Sequence, residues 1–214
     1  MISSILGVRK HVKIAVWLIC RATQNMMRAS LDSSLRGGCS INKKEKVLLM
    51  KPDSEYQTIQ HNFEPVFNSQ SEILILGSLP SVKSRENNFY YGHPQNRFWK
   101  LMAALCHAEV PKTIEEKKKL LYDNGIAVWD VIAQCDIIGS SDSSIKNVVP
   151  NDIRSILEHA PIQRVYANGG KAYELYMRYC YPECKREIIK LPSTSPANAA
   201  FSMERLLTVW SEIL

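Results

Sequence analysis

From about residue 61 onward, short apolar runs alternate with longer amphipathic stretches. Glu72-Ile-Leu-Ile-Leu76 is a continuous apolar run closed by Gly77, which predicts a strand buried on both faces. Pro94 is placed to open a helix, because its missing N–H does no harm in a first turn. Phe98, Leu101, Met102 and Leu105 then share one face of that helix. Thr113 and Glu116 have capping-box spacing for a second helix, which Asn124-Gly125 would stop. Ile126–Trp129 reads as a short strand, Asp152–Glu158 as a short helix after Pro150, and Arg164–Ala167 as another strand. Ala172, Leu175, Tyr176 and Tyr179 mark a helix face, and Glu187–Leu191 reads as a strand. Ser202 would cap a last helix with Met203, Leu206, Leu207 and Trp210 inward.

This alternation predicts an α/β sandwich with a mostly parallel central sheet of four strands. Ligands bind at the carboxyl ends of the strands in such sheets. Three polar or Gly-rich segments directly follow predicted strands: Gly77-Ser-Leu-Pro-Ser81, Asn168-Gly-Gly-Lys171 and Pro192-Ser-Thr-Ser-Pro-Ala-Asn198. All three are expected on one edge of the sheet.

Residues 1–60 lack this regularity. Eight of the chain's 27 Lys and Arg and one of its 21 Asp and Glu fall in residues 1–44, giving that segment +7 and the remainder −1. The formal +6 therefore belongs to the N-terminal segment and indicates no general nucleic-acid surface on the body. Residues 1–60 are expected to be a basic, poorly ordered extension ahead of a single domain over 61–214. Their Arg- and Ser-rich, acid-poor composition also fits a targeting segment. The longest apolar run, Ile14–Cys20, is far shorter than the roughly 20 residues of a membrane span. Cys20, Cys39, Cys106, Cys135, Cys180 and Cys184 are scattered without a CxxC, so reduced thiols in a cytosol-like compartment and no metal site are expected.

The common nucleotide-binding, zinc-protease and serine-hydrolase motifs are missing. Asn87–Trp99 is unusual. It combines amides, His93, Arg97 and five aromatics between a strand and a helix. Phe98 suits the core, but Tyr90 and Tyr91 precede the helix. Aromatics in a loop beside amides suit stacking on a planar heterocycle while its edge is hydrogen-bonded.

Gly77-Ser-Leu-Pro-Ser81, Tyr91-Gly-His-Pro-Gln-Asn-Arg-Phe-Trp99, Asn168-Gly-Gly-Lys171 and Leu191-Pro-Ser-Thr-Ser-Pro196 occur in the order of the uracil-DNA glycosylase superfamily, which the chain resembles from about Phe63 to its end. The string His93-Pro-Gln-Asn-Arg-Phe-Trp99 resembles the mismatch-specific uracil/thymine glycosylases. The first and last motifs are most similar to the hypoxanthine-DNA (deoxyinosine) glycosylase branch. The resemblance implies a three-layer α/β/α sandwich and a monofunctional DNA glycosylase of base-excision repair that needs no cofactor and no metal. Its partner would be DNA containing a deaminated base, most readily hypoxanthine. A monomeric cytoplasmic enzyme is expected, nucleoid-associated in a prokaryote. The alternatives are a uracil/mismatch-specific glycosylase, a noncatalytic damaged-DNA-binding module, and a small-nucleotide hydrolase on the same scaffold.

The resemblance also implies site residues. The mismatch enzymes carry a water-positioning Asn in the first motif, where this chain has Leu79, which cannot orient water. Catalysis therefore falls to Asn96, positioning water or donating to the base, with bracing of the following helix as its alternative role. Ser81 would bond the base or a phosphate. Gly77, Ser78, Leu79, Tyr91, His93 and Asn168 would form the base site, with Tyr91 stacking on the flipped base. Pro192, Ser193, Thr194, Ser195, Pro196, Ala197 and Asn198 would enter the duplex, with Pro196 and Ala197 as a small wedge. Lys83 and Lys171 would meet phosphates. Ser140–Ser144 and Asp130 are lesser candidates.

Overall fold

A computed structural model describes residues 55–139 and 141–214. Apart from residues 55–60, the expected extension lies outside the described residues, as do Cys20, Cys39 and Ser140. The described chain forms strands β1 (Tyr56–Gln60), β2 (Ile73–Gly77), β3 (Ile126–Asp130), β4 (Ile132–Ile138), β5 (Lys146–Pro150), β6 (Arg164–Asn168) and β7 (Ile189–Leu191). Its helices are α1 (Val82–Glu86), α2 (Phe98–Leu105), α3 (Ile114–Asp123), α4 (Ile153–His159), α5 (Gly170–Tyr179), α6 (Tyr181–Cys184) and α7 (Met203–Trp210). No described helix is long and apolar enough to cross a membrane.

β2 is buried at all five positions, as its unbroken apolar run requires. It pairs in parallel with β3 on one side and β6 on the other, and β7 completes the order β3-β2-β6-β7. Successive side chains of a strand point to opposite faces. Ile73 and Ile75 therefore join one core, with Phe98, Leu101 and Met102 of α2, Leu121 of α3 and Trp210 of α7. Leu74 and Leu76 join the other, with Ile153 and Ile156 of α4 and Leu175 and Tyr176 of α5. The three-layer α/β/α sandwich is borne out.

Local signals also held. Thr113 and Glu116 form both halves of a capping box on α3, and Ser202 caps α7 through the Arg205 N–H. Two boundaries shifted. Pro94 lies in a turn rather than opening α2, which starts at Phe98, where Asn96 Oδ1 accepts the Phe98 N–H. β7 starts at Ile189, not Glu187.

A second sheet was not anticipated. β1, β4 and β5 form an antiparallel sheet in that order. The register of β4 against β5 shifts between Ile132 and Gln134 and again between Gln134 and Asp136. Such irregularities erase the two-residue alternation that marks a half-buried strand. β1 is exposed at four of five positions and carries no apolar pattern. Yet Tyr56–Gln60 pairs along its whole length with β4, although it lies on the extension side of the expected boundary at residue 60.

Cys106, Cys135, Cys180 and Cys184 are free thiols. Burial raises all four above the ordinary thiol value, Cys180 up to about 12.

Candidate active site

Because β2, β3, β6 and β7 run parallel, their carboxyl ends share one edge. The three strand-end segments meet there around a cavity of about 590 Å³, within the size range of small-ligand pockets. Gly77–Ser81, Asn168–Lys171 and Ser193–Ser195 line it, joined by Tyr91, Asn96 and Asp130. Gly169, at φ +104°, lets two segments close together, since a Cβ there would lie 2.9 Å from Ser193 Cβ.

One wall is a network of neutral groups. Thr194, fully buried, donates its hydroxyl to Asn96 Oδ1 at 2.9 Å. It receives Asn168 Nδ2 at 2.9 Å, while its own N–H donates to Asn168 Oδ1 at 2.9 Å. Asn96 Oδ1 also accepts the Phe98 N–H at 3.0 Å. Both accepting directions of that oxygen are used, so Asn96 Nδ2 remains as a donor on a residue that lines the cavity. Asn96 thus braces the helix and offers N–H groups.

Arg97 organises the same wall. Its guanidinium donates to the carbonyls of Thr194 (3.3 Å), Ser195 (2.7 Å), Asn198 (3.1 Å), Ser193 (3.5 Å) and Phe201. Its backbone N–H also reaches Thr194 O at 3.1 Å. Its hydrogen bonds among the described residues all go to carbonyls, so the segment entering α7 is shaped around one cation. Pro196 and Ala197 remain exposed at the tip.

The first motif is stitched to the Tyr91 loop by hydroxyls. Ser81 caps α1 by accepting the Ser84 N–H, and its Oγ lies 3.0 Å from Ser84 Oγ. Ser84 Oγ in turn accepts the Gly92 N–H at 3.0 Å. Tyr91 adopts φ +51°, a costly conformation for a non-glycine residue. Its ring stacks on Phe98 at 3.8 Å between centroids. Its hydroxyl is buried without a hydrogen bond of ordinary geometry. Burial raises the Tyr91 phenol, the Asp130 charge raises it further, and the nearby Asn168 amide opposes this only in part.

The floor holds a buried carboxylate–imidazole pair. Asp130, ending β3, is 4% exposed and lies 3.0 Å through Oδ2 from His61 Nε2. The His61 side chain is 1% exposed and packs against Phe63 and Tyr90.

A family model described as the uracil DNA glycosylase superfamily matches residues 64–213. The chain belongs to the uracil DNA glycosylase superfamily. A hypoxanthine DNA glycosylase from Methanosarcina acetivorans is 40% identical over 151 residues, 69% of this chain and 93% of that protein. One from Methanosarcina barkeri is 33% identical over 157 residues, 72% of this chain and 96% of that protein. The solution NMR structure of a candidate uracil DNA glycosylase from Methanosarcina acetivorans matches with TM-score 0.60 and 35% identity, covering 71% of this chain and 96% of that one.

Within this superfamily member, the cavity brings together Gly77, Ser78, Leu79, Ser81, Tyr91, Asn96, Asn168, Lys171, Ser193, Thr194, Ser195, Ala197 and Asn198 of the expected site. His93 is not in its lining; His93 Nδ1 accepts the Gln95 N–H and serves the turn. Lys83 points elsewhere, paired with Glu86 at 2.6 Å. Pro192 and Pro196 flank the lining rather than joining it, and Pro192 O accepts Trp210 Nε1. Asp142 of the Ser140–Ser144 loop reaches the cavity. Sequence reasoning missed His61 altogether, ranked Asp130 low, and gave Arg97 no role. A His inside a segment without apolar periodicity gives no signal, and its partner is 69 residues away.

Proposed function

We propose that the protein is a DNA glycosylase that hydrolyses the N-glycosidic bond of a deaminated base, hypoxanthine in deoxyinosine, during base-excision repair. The observation that carries this reading is the orientation of Asn96: both accepting directions of its oxygen are used, and its N–H groups have no partner among the described residues on a residue lining the cavity. Glycosidic cleavage builds positive charge on the sugar and negative charge on the departing purine. A fixed donor lowers that barrier by stabilising charge as it forms. Leu79 supplies no polar group, so the donor comes from Asn96 and the adjoining Asn168–Thr194 network. The flipped base would sit beside Tyr91, with the Ser193–Asn198 loop filling the gap in the duplex. Loop hydroxyls and Lys171 would hold the backbone. The small Pro196–Ala197 tip suits weakly paired bases, whose extrusion costs less. The names of the two hypoxanthine DNA glycosylase relatives support the same substrate.

The test is excision from labelled duplexes carrying one deoxyinosine or one deoxyuridine, followed by alkali. Alkali-labile breaks at deoxyinosine without added metal or cofactor are the expected result. Breaks only at deoxyuridine would transfer the reading to a uracil enzyme. Tight binding without breaks at either base would make the protein a damage-binding module.

A further inference from the structure

Asp130 and His61 have no part in the reading above, yet they form a buried carboxylate–imidazole hydrogen bond. The carboxylate is divided in use. Oδ2 is held by His61 at 3.0 Å, whereas Oδ1 has no hydrogen-bond partner among the described residues, and the residue lines the cavity. Oδ1 lies across the end of β2: a Cβ on Gly77 would come within 2.1 Å of it and 3.4 Å of Tyr91 Oη. Glycine at 77 is what lets the carboxylate occupy this place. The position is fixed from several sides. Asn151 Nδ2 donates to Asp130 O at 2.9 Å, the Val131 N–H donates to Gly77 O, and the His61 N–H donates to Ala133 O.

A burial this deep is costly for a carboxylate unless it is paired and hydrogen-bonded. One partner is present, and the second accepting oxygen faces the cavity. The first motif has lost its acceptor to Leu79, and the Asn96 oxygen is occupied by Phe98 and Thr194. Of the two carboxylates that line the cavity, Asp142 sits exposed on its turn, so Asp130 Oδ1 is the buried and positionally fixed acceptor free to take a water proton.

We infer that Asp130, oriented by His61, is the general base that activates the attacking water of the glycosylase reaction; this rests on the glycosylase reading itself. Water bound to Oδ1 forms the new bond from its oxygen to sugar C1′. The C1′–N9 bond breaks with its electron pair leaving on the purine. The water proton passes to Asp130 Oδ1 and then to the departed base or solvent, so the products are an abasic sugar and neutral hypoxanthine. The carboxylate charge also faces the cationic sugar. Asp130 is here a catalytic residue and His61 a positioning residue.

The experiment measures single-turnover excision from a deoxyinosine duplex at saturating enzyme for the full chain, Asp130→Asn, His61→Leu and His61→Gln. Affinity is measured in parallel on the same duplex carrying non-cleavable 2′-fluoro-deoxyinosine. Asp130→Asn should lose about 10²–10⁴-fold in rate with affinity within about threefold of the unaltered chain. His61→Leu should lose about tenfold or more, and His61→Gln, whose amide can still donate to Oδ2, should recover at least about threefold of that loss. An Asp130→Asn rate within about threefold of the unaltered chain overturns the inference. If circular dichroism shows Asp130→Asn unfolded, the His61 pair decides: equal rates for the two variants overturn it, and rescue by Gln upholds it. An unaltered chain that leaves deoxyinosine intact refutes the glycosylase reading and this inference together, which separates that failure from failure of the dyad alone.

Discussion

The cavity has two polar walls built on opposite principles. The Asn96–Thr194–Asn168 wall is neutral, and each member satisfies its neighbour, so its oxygens are consumed internally and N–H groups are left over. The Asp130–His61 floor pairs a carboxylate with an imidazole and is incompletely satisfied, so an oxygen is left over. The first is equipped to donate to a base that becomes an anion. The second is equipped to accept from a water that becomes a nucleophile. The difference teaches that a site's chemistry is set by what its internal bonds leave unpaired, more than by which residue types it contains. Asn96 looks suited to either task from its side chain alone, and it is the use of its oxygen by Phe98 N–H and Thr194 Oγ that favours the donor's task in the proposed reading.

The two walls can be broken separately. Beyond the Asp130–His61 variants, the largest effect is expected for Asn96→Ala, which removes the leftover donor and the brace on α2. Excision of hypoxanthine should fall about 10²–10³-fold in single-turnover assays while binding to an inosine duplex persists; activity within tenfold would sink the donor role. Gly77→Ala attacks the floor alone. Its Cβ would collide with Asp130 Oδ1, and strain of this kind costs about 1–3 kcal/mol. Urea unfolding should show that loss together with a rate reduced about tenfold or more, and a silent substitution would mean that the carboxylate moves freely. Thr194→Val attacks the wall alone. It leaves Asn96 Oδ1 and Asn168 Nδ2 each short of a partner, with an expected stability loss of about 1–3 kcal/mol and a modest fall in rate. Tyr91→Phe should be the mildest. Its hydroxyl is buried without a partner, so the melting temperature should stay level or rise. Burial and the Asp130 charge hold the phenol above its ordinary value, so it stays protonated through neutral and mildly alkaline pH. The alkaline side of the pH–rate profile should then be the same with or without it; a limb that disappears in Tyr91→Phe would contradict this.

The parallel sheet was legible because β2 states its burial in five consecutive residues and because capping residues such as Thr113 and Ser202 act locally. The neutral wall was legible because Asn168 and Thr194 sit in segments that end or directly follow strands and Asn96 sits in the conspicuous Tyr91–Trp99 motif. β1 was not legible, since four of its five residues face solvent and its pairing with β4 is a long-range fact. That strand leads straight into His61, so the carboxylate–imidazole floor was hidden for the same reason. His93 is the opposite case. It sits in a conspicuous motif, but its ring nitrogen is used by the turn that Pro94 begins. Arg97 stood in the motif without an assigned role, because sequence records its charge and not the carbonyls that fold around it.

That arrangement of carbonyls has a consequence for how such an enzyme diversifies. Arg97 grips main-chain oxygens, which every amino acid possesses, and it leaves the side chains of Pro196 and Ala197 outside its grasp. The shape of the loop is thereby uncoupled from the identity of its tip. If the loop enters a duplex as proposed, substitutions at those two positions would alter how forcefully it does so while the scaffold beneath stays as it is. Preference among base pairs becomes a trait that can drift, or be engineered, one tip residue at a time.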